Sequence, residues 1–297
     1  MSRASKIIII SSLIIMVLVV SGVYLSQVSI PILQPRGTIA DQEFRLLITV
    51  TLLMLIVVIP VFVLLAYIVY KYRDTNPKPK KYSPNYASSK ILEPIWWLIP
   101  SLLIIVIGII TWHETYALNP YKPIASKHKA IAIDVVSLDW KWLFIYPQFK
   151  IASVNQLVFP VNTPVHFYIT SAAPMNSLWI PQLAGQMYAM AGMRTQLNIM
   201  ANVKGVFKGR SANISGAGFD SMTFNAISTS RNGFNQWINR ASLSPALSLQ
   251  AYRQLEIPTS FVKPHYYSNP APNLFNDIMF SYMAPKNELK KMGFSYV

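Results

Sequence analysis

Three strongly apolar stretches of the chain carry no Asp, Glu, Lys or Arg: residues 7–26, 46–70 and 95–112. A bilayer core of about 30 Å needs roughly 20 apolar helical residues, so each stretch is long enough to be a candidate membrane span. Pro60 and Pro100 lie inside the last two. A proline there would break a soluble helix, but membrane helices tolerate it. From about residue 130 the pattern shortens. Residues 130–136, 155–159, 165–170, 196–200 and 222–228 are short β-branched or aromatic runs, separated by Pro147, Asn162-Thr163-Pro164, Gly185, Gly205 and Gly216-Ala217-Gly218. Short strands at this spacing predict a β-sandwich or barrel. Beyond Ser230 the apolar positions recur every three or four residues, predicting helices over 232–240, 247–255 and 271–283.

The first run admits two readings. Arg3 and Lys6 precede it, as in a secretory signal, yet its length favours a retained helix over a cleaved one. Val20-Ser21-Gly22-Val23 has the frame of a lipoprotein signal, but Val23 stands where a lipidated cysteine would have to be. Loop charges set the orientation. Residues 71–90 hold Lys71, Arg73, Lys78, Lys80, Lys81 and Lys90 against Asp74, whereas 27–45 holds Arg36 and Arg45 against Asp41 and Glu43. The positive-inside rule puts the 71–90 loop in the cytoplasm and everything after about Thr115 outside. The expected organisation is a signal-like or retained segment over 1–27, a helical hairpin over 28–116, an exported β-domain over 117–230 and a helical, aromatic-rich region over 231–297.

Composition sharpens this picture. Only 12% of the 297 residues are charged and 53% are hydrophobic, about half the charge of a soluble domain. The net charge of +15 is scattered, with +5 in residues 1–116 and +10 in 117–297. Nucleic-acid binders cluster their charge on one face or arm, so no nucleic-acid partner is expected. The chain has no cysteine, which excludes disulfides, zinc ribbons, iron–sulfur clusters, thiol catalysis, copper–thiolate centres and acylation on cysteine. His128, His166 and His265 are isolated and read as surface or structural residues. Met187, Met190 and Met193, three apart, read as packing around a loop.

Several motifs in order carry a family resemblance. Glu93-Pro94-Ile95-Trp96-Trp97 leads into the third span. Asp139-Trp140-Lys141-Trp142 follows, then Met175-Asn176-Ser177-Leu178-Trp179-Ile180-Pro181-Gln182-Leu183, then Gly205-Val206-Phe207-Lys208-Gly209 and Gly216. Over roughly residues 30–297 the chain resembles subunit II of the haem–copper terminal oxidases. The resemblance implies a membrane hairpin followed by an all-β, cupredoxin-like Greek-key domain with a C-terminal helical, aromatic-rich tail. Copper-bearing members hold a dinuclear centre on a histidine before the SFWIP-like run and on CxExCGxxHxxM. Here Asn176 replaces the first histidine, Ser211 and Ser215 the two cysteines, Asn213 the glutamate and Phe219 the second histidine; only Met222 remains. A serine hydroxyl is a poor ligand for soft copper, so no metal and no cofactor is expected in this chain.

That loss resembles the quinol-oxidising, cytochrome bo-type branch, as does the tail with Tyr266-Tyr267-Ser268-Asn269 and Asn273-Leu274-Phe275. The resemblance implies a proton-pumping ubiquinol oxidase in a bacterial inner membrane. Its haems and active-site copper would sit on subunit I, subunits III and IV would be further partners, and the β-domain would face the periplasm. It also implies that Glu93 stands at the entry of a proton channel; from position alone it is a helix-start acid. Trp140 and Trp142 are expected to pack on subunit I, and Trp96, Trp97 and Trp112 to anchor span ends. Two rivals stay open: a cytochrome c oxidase subunit II with an eroded copper site, and a membrane-tethered β-domain serving as a binding or assembly module.

Overall fold

The structure is a computed structural model, and it describes residues 12, 16–17, 19–23, 30–73 and 89–283. Most of the run 7–26, most of the basic loop 71–90 and the tail beyond 283 therefore lie outside the described residues. Two long apolar helices come first: α1 (Thr38–Lys71) and α2 (Leu92–Ala117). Among the described residues these are the helices long and apolar enough to cross a membrane. Both continue unbroken through Pro60 and Pro100.

Helix α1 begins several residues before its uncharged run because its first turns dock on the β-domain. The leading N–H groups of a helix have no partner inside it. Here Thr38 N donates to Met200 O at 3.2 Å and Ala40 N to Leu183 O at 3.1 Å. Just upstream, Arg36 N donates to Gln182 O at 2.8 Å and Asn202 N to Arg36 O at 2.9 Å. Gly37 is the residue at closest approach. A Cβ there would lie 2.7 Å from Leu183 O and 2.8 Å from Met200 O, so only glycine fits.

The β-domain is two packed sheets. Strands β1 (Ile131–Leu138), β2 (Lys141–Tyr146), β3 (Ile151–Val154), β5 (Val165–Ser171), β8 (Thr195–Ile199) and β11 (His265–Ser268) form one, in the order β11-β3-β2-β1-β5-β8. Strands β4 (Gln156–Pro160), β6 (Asn176–Trp179), β7 (Met187–Ala189), β9 (Gly205–Ser211) and β10 (Thr223–Thr229) form the other, in the order β4-β10-β9-β6-β7. Two neighbouring pairs are parallel, β1 with β5 and β4 with β10. Parallel neighbours require crossovers from one sheet to the other.

The six-stranded sheet is buried on both faces. Ile131, Ile133 and Val135 of β1 and Trp142, Phe144 and Tyr146 of β2 point into the sandwich against Phe224 and Leu157. The alternate residues Val136, Leu138, Leu143 and Ile145 point outward and are covered by Leu247, Tyr252, Leu255 and Ile278. These come from the C-terminal region, which supplies α3 (Arg231–Ala241), α4 (Leu249–Glu256) and α5 (Leu274–Phe280). Ser230 caps α3 through Gly233 N, and Ser248 caps α4 through Ala251 N, each at 3.2 Å. Each large side chain buried this way contributes about 1.5–3 kcal/mol.

Candidate functional site

At one end of the sandwich, β6, the end of β9 and the 211–222 loop meet the β1–β2 turn. Strand β6 pairs with β9 through Leu178 and Ser211, which brings Asn176 beside Ser211. Ser211 Oγ lies 2.9 Å from Asn176 Oδ1, to which it donates, and accepts from Ser177 N at 3.4 Å. Asn176 Nδ2 donates to Pro174 O at 2.9 Å, and Asn213 Nδ2 to Met175 O at 2.8 Å. Ser211 N donates to Met222 O at 3.1 Å, which sets the wholly buried Met222 next to the serine.

Trp140 closes this cradle. Its indole Nε1 donates to Ser215 O at 3.3 Å. The ring lies across Gly216 and Gly218, where a Cβ on Gly218 would come within 2.3 Å of Trp140 Cδ2. Gly216 has φ +113 and Trp140 itself φ 61, a left-handed backbone that is costly for a bulky residue. Ser215 Oγ is buried with no hydrogen-bond partner among the described residues, and half-buried Phe219 opens a short 3₁₀ turn.

Asn176, Ser211, Asn213, Ser215, Phe219 and Met222 thus belong to one loop cluster, and the chemistry of their donors can be set against a copper pair. Amides and hydroxyls replace the imidazoles and thiolates, and Ser211 is already engaged with Asn176. A hydroxyl does not ionise to bridge soft metal, and one thioether cannot hold two ions. Among the described residues no group of three or more His, Cys, Asp or Glu could hold a metal. These residues do not fit the copper pair.

The other expected sites separate. Glu93 sits in the first turn of α2, where Ser89 N donates to its Oε1 at 3.1 Å and Glu93 N donates to Ser89 O at 3.1 Å. Ser89 Oγ also accepts from Leu92 N at 3.2 Å, so the residues before α2 and its first turn hold each other. Trp96, Trp97 and Trp112 are exposed along α2. Trp142 corrects the expectation of packing on a partner. It is 0% exposed, edge-on to Phe224 at 6.0 Å, because β2 turns it into the domain's own core. His166 lies 2.7 Å from Asn198 Oδ1, and His265 Nδ1 lies 2.9 Å from Lys263 O; both are structural contacts. Met187 packs on the core and Met193 is exposed.

Two charges went unread in the sequence. Lys141 is 1% exposed, and its Nζ donates to Leu255 O and Ile257 O at 2.8 Å and to Asp139 O at 3.2 Å. It holds the end of α4 onto the β1–β2 turn; burial pushes its pKa down, against a smaller opposite pull from Asp139. Asp134 lines a cleft of about 770 Å³ with Lys150, Tyr168 and Arg194, and burial raises its pKa to about 6, against the lowering effect of Arg194. A lone acid in the apolar strand run 130–136 was the available signal.

Comparison with known proteins now decides the family. Residues 103–228 match the model of "Cytochrome C oxidase subunit II, periplasmic domain", and 240–286 match the "COX Aromatic Rich Motif". The chain is 48% identical over 249 residues to cytochrome bo(3) ubiquinol oxidase subunit 2 of Pseudomonas aeruginosa, covering 84% of this chain and 75% of that one. It is 40% identical over 266 residues to ubiquinol oxidase subunit 2 of Acetobacter aceti, covering 88% and 86%. It is 36% identical over 258 residues to quinol oxidase subunit 2 of Bacillus subtilis, covering 86% and 79%.

The chain belongs to the ubiquinol oxidase subunit 2 family. As a subunit II it is part of a haem–copper oxidase complex and associates with other oxidase subunits. The sandwich is therefore cupredoxin-like, and the two apolar helices with a periplasmic-type domain fit an inner-membrane protein.

Proposed function

We propose that this chain is the subunit of a proton-pumping ubiquinol oxidase that carries no redox centre of its own. Two ubiquinols give up four electrons and four protons and become two ubiquinones; four electrons and four protons reduce one oxygen molecule to two waters. The haems, the copper and the reacting quinol would be held by subunit I, with subunits III and IV completing the complex. The chain would brace subunit I through α1 and α2 and cap its outer face with the β-domain on the periplasmic side of a bacterial inner membrane.

The observation that carries this reading is the Asn176–Ser211 hydrogen bond. It fills with a neutral polar network the place where an electron-accepting copper pair would need thiolates and imidazoles. A cytochrome c would find no electron entry here, whereas a quinol in the membrane needs none on this domain. Exposed Trp96 and Trp97, and Trp140 at the cradle, remain as packing surface toward subunit I and lipid. The division into a leading segment 1–27, hairpin 28–116, β-domain 117–230 and C-terminal region 231–297 matches these roles.

Glu93 is assigned to proton entry at the cytoplasmic end of α2. The bond it accepts from Ser89 N uses one carboxylate oxygen and leaves the other as a proton acceptor. The test of the whole reading is purification in mild detergent followed by metal and haem analysis. A haem-containing partner should accompany the chain, with only the copper that subunit I accounts for. Two further copper ions per complex, or no haem partner, would contradict it.

A further inference from the structure

Between the outer ends of α1 and α2 lies a polar cleft of about 370 Å³ that the oxidase reading does not use. Its position is set by the hydropathy pattern. Arg45 is the last charge before the uncharged run of α1, and Glu114 the first after that of α2. Both line the cleft, with Asp41 and Asn202 at its polar side and Leu46 and Ile110 at its apolar side. The cleft therefore straddles the level at which a bilayer passes from hydrocarbon to headgroups.

The charges are arranged as a dipole. Arg45 pairs with Asp41 one helical turn earlier through Nε and Nη2, both on Oδ2, which leaves Nη1 of Arg45 and Oδ1 of Asp41 for other partners. Glu114 contributes a second carboxylate, approached among the described residues at 3.3 Å by His113 Nδ1 on Oε1. Asn202 Oδ1 accepts from Thr38 Oγ1 at 2.9 Å, so its amide N–H groups remain as donors. One cation and two carboxylates give a formal charge of −1. That disfavours an anionic headgroup and suits one carrying both a phosphate and a primary ammonium.

We propose that this cleft seats one zwitterionic aminophospholipid headgroup, its phosphate on Arg45 and Asn202 and its ammonium between Asp41 and Glu114. Arginine suits phosphate through its planar fork of donors. The ammonium brings three donors to two carboxylates. Leu46 and Ile110 receive the glycerol end, and the acyl chains run down the apolar faces of the helices. A lipid so held would pin the outer ends of the hairpin beneath the β-domain. The proposal rests on α1 and α2 crossing the membrane and not on which donor feeds the oxidase.

The test counts lipids on the purified, delipidated complex by native mass spectrometry after exposure to detergent micelles containing one phospholipid at a time. Phosphatidylethanolamine should leave one tightly retained molecule that a tenfold excess of phosphatidylglycerol does not displace. Phosphatidylcholine, whose methylated ammonium cannot donate hydrogen bonds, should be held several-fold more weakly. Arg45→Gln and Glu114→Gln should each cut retention of the ethanolamine lipid at least fivefold. Equal retention of all three lipids by the unmodified complex would overturn the proposal without any variant having to fold, and so would unchanged retention in both variants. The lipid count is independent of turnover, so its failure is distinguishable from a failure of the oxidase reading.

Discussion

Lys141 and Asp134 lie on the adjacent central strands β2 and β1, four register positions apart, yet they meet burial in opposite ways. Lys141 offsets its burial by donating to three carbonyls, two of them at the end of α4, where the helix dipole also favours a cation. Replacing it by alanine strands those acceptors, and the loss should be about 2–4 kcal/mol. A fall in the apparent melting temperature of the purified chain checks this, and Lys141→Met should recover only the packing part. Asp134 has a folded pKa of about 6 against 3.8 for an unperturbed group. Below the lower value both states are protonated and the stabilising contribution is complete; it is lost as pH rises through about 6. After allowance for partial exposure the change is on the order of 1 kcal/mol. Asp134→Asn should flatten the stability profile between these pH values; an unchanged profile would contradict the burial argument. At Glu93 the two roles can be separated. Glu93→Gln keeps an acceptor for Ser89 N but not an ionisable group, so it should slow turnover several-fold with haem content intact. Unchanged oxygen consumption in that variant would leave only the structural bond to Ser89 N.

At the scale of elements, the docking of α1 depends on one missing side chain. Gly37→Val would drive a Cβ into Leu183 O and Met200 O, and should weaken the docking by about 1–3 kcal/mol. Faster amide exchange at Thr38 and Ala40 would report it. Gly108→Ala, whose Cβ meets nothing within 4 Å, is the control. The same elements show how far the sequence could be read. Strands β1, β4, β5, β8 and β10 fall within a residue or two of the expected runs, since their β-branched residues alternate or cluster between turns. Strand β2 was not anticipated because both its faces are buried, so Trp142 to Tyr146 form a continuous apolar run without alternation. Strand β9 hides for the opposite reason. Its inward positions are Phe207, Gly209 and Ser211, and Gly209 is small because the Phe224 ring occupies its Cβ space. The start of α1 was missed because its first turns are polar and gain their stability from the β-domain, a long-range contact that no local pattern records. The loop cluster was legible only through its motif spacing. The Asn176–Ser211 bond is made across two strands 35 residues apart.

On the scale of the whole molecule, the hairpin, the sandwich and the aromatic-rich C-terminal region are tied together by packing and hydrogen bonds. The C-terminal helices cover the outer face of the six-stranded sheet, α1 is hydrogen-bonded into the loops of the β-domain, and Trp140 locks the cradle at the domain's end. On the proposed reading nothing in this arrangement carries an electron. On the proposed reading, electrons reach the complex from ubiquinol and bypass this subunit. Oxygen uptake by the purified complex, driven in turn by a short-chain ubiquinol and by reduced cytochrome c, tests it most directly. Uptake is expected with ubiquinol and none above background with cytochrome c; uptake driven by cytochrome c would overturn this reading.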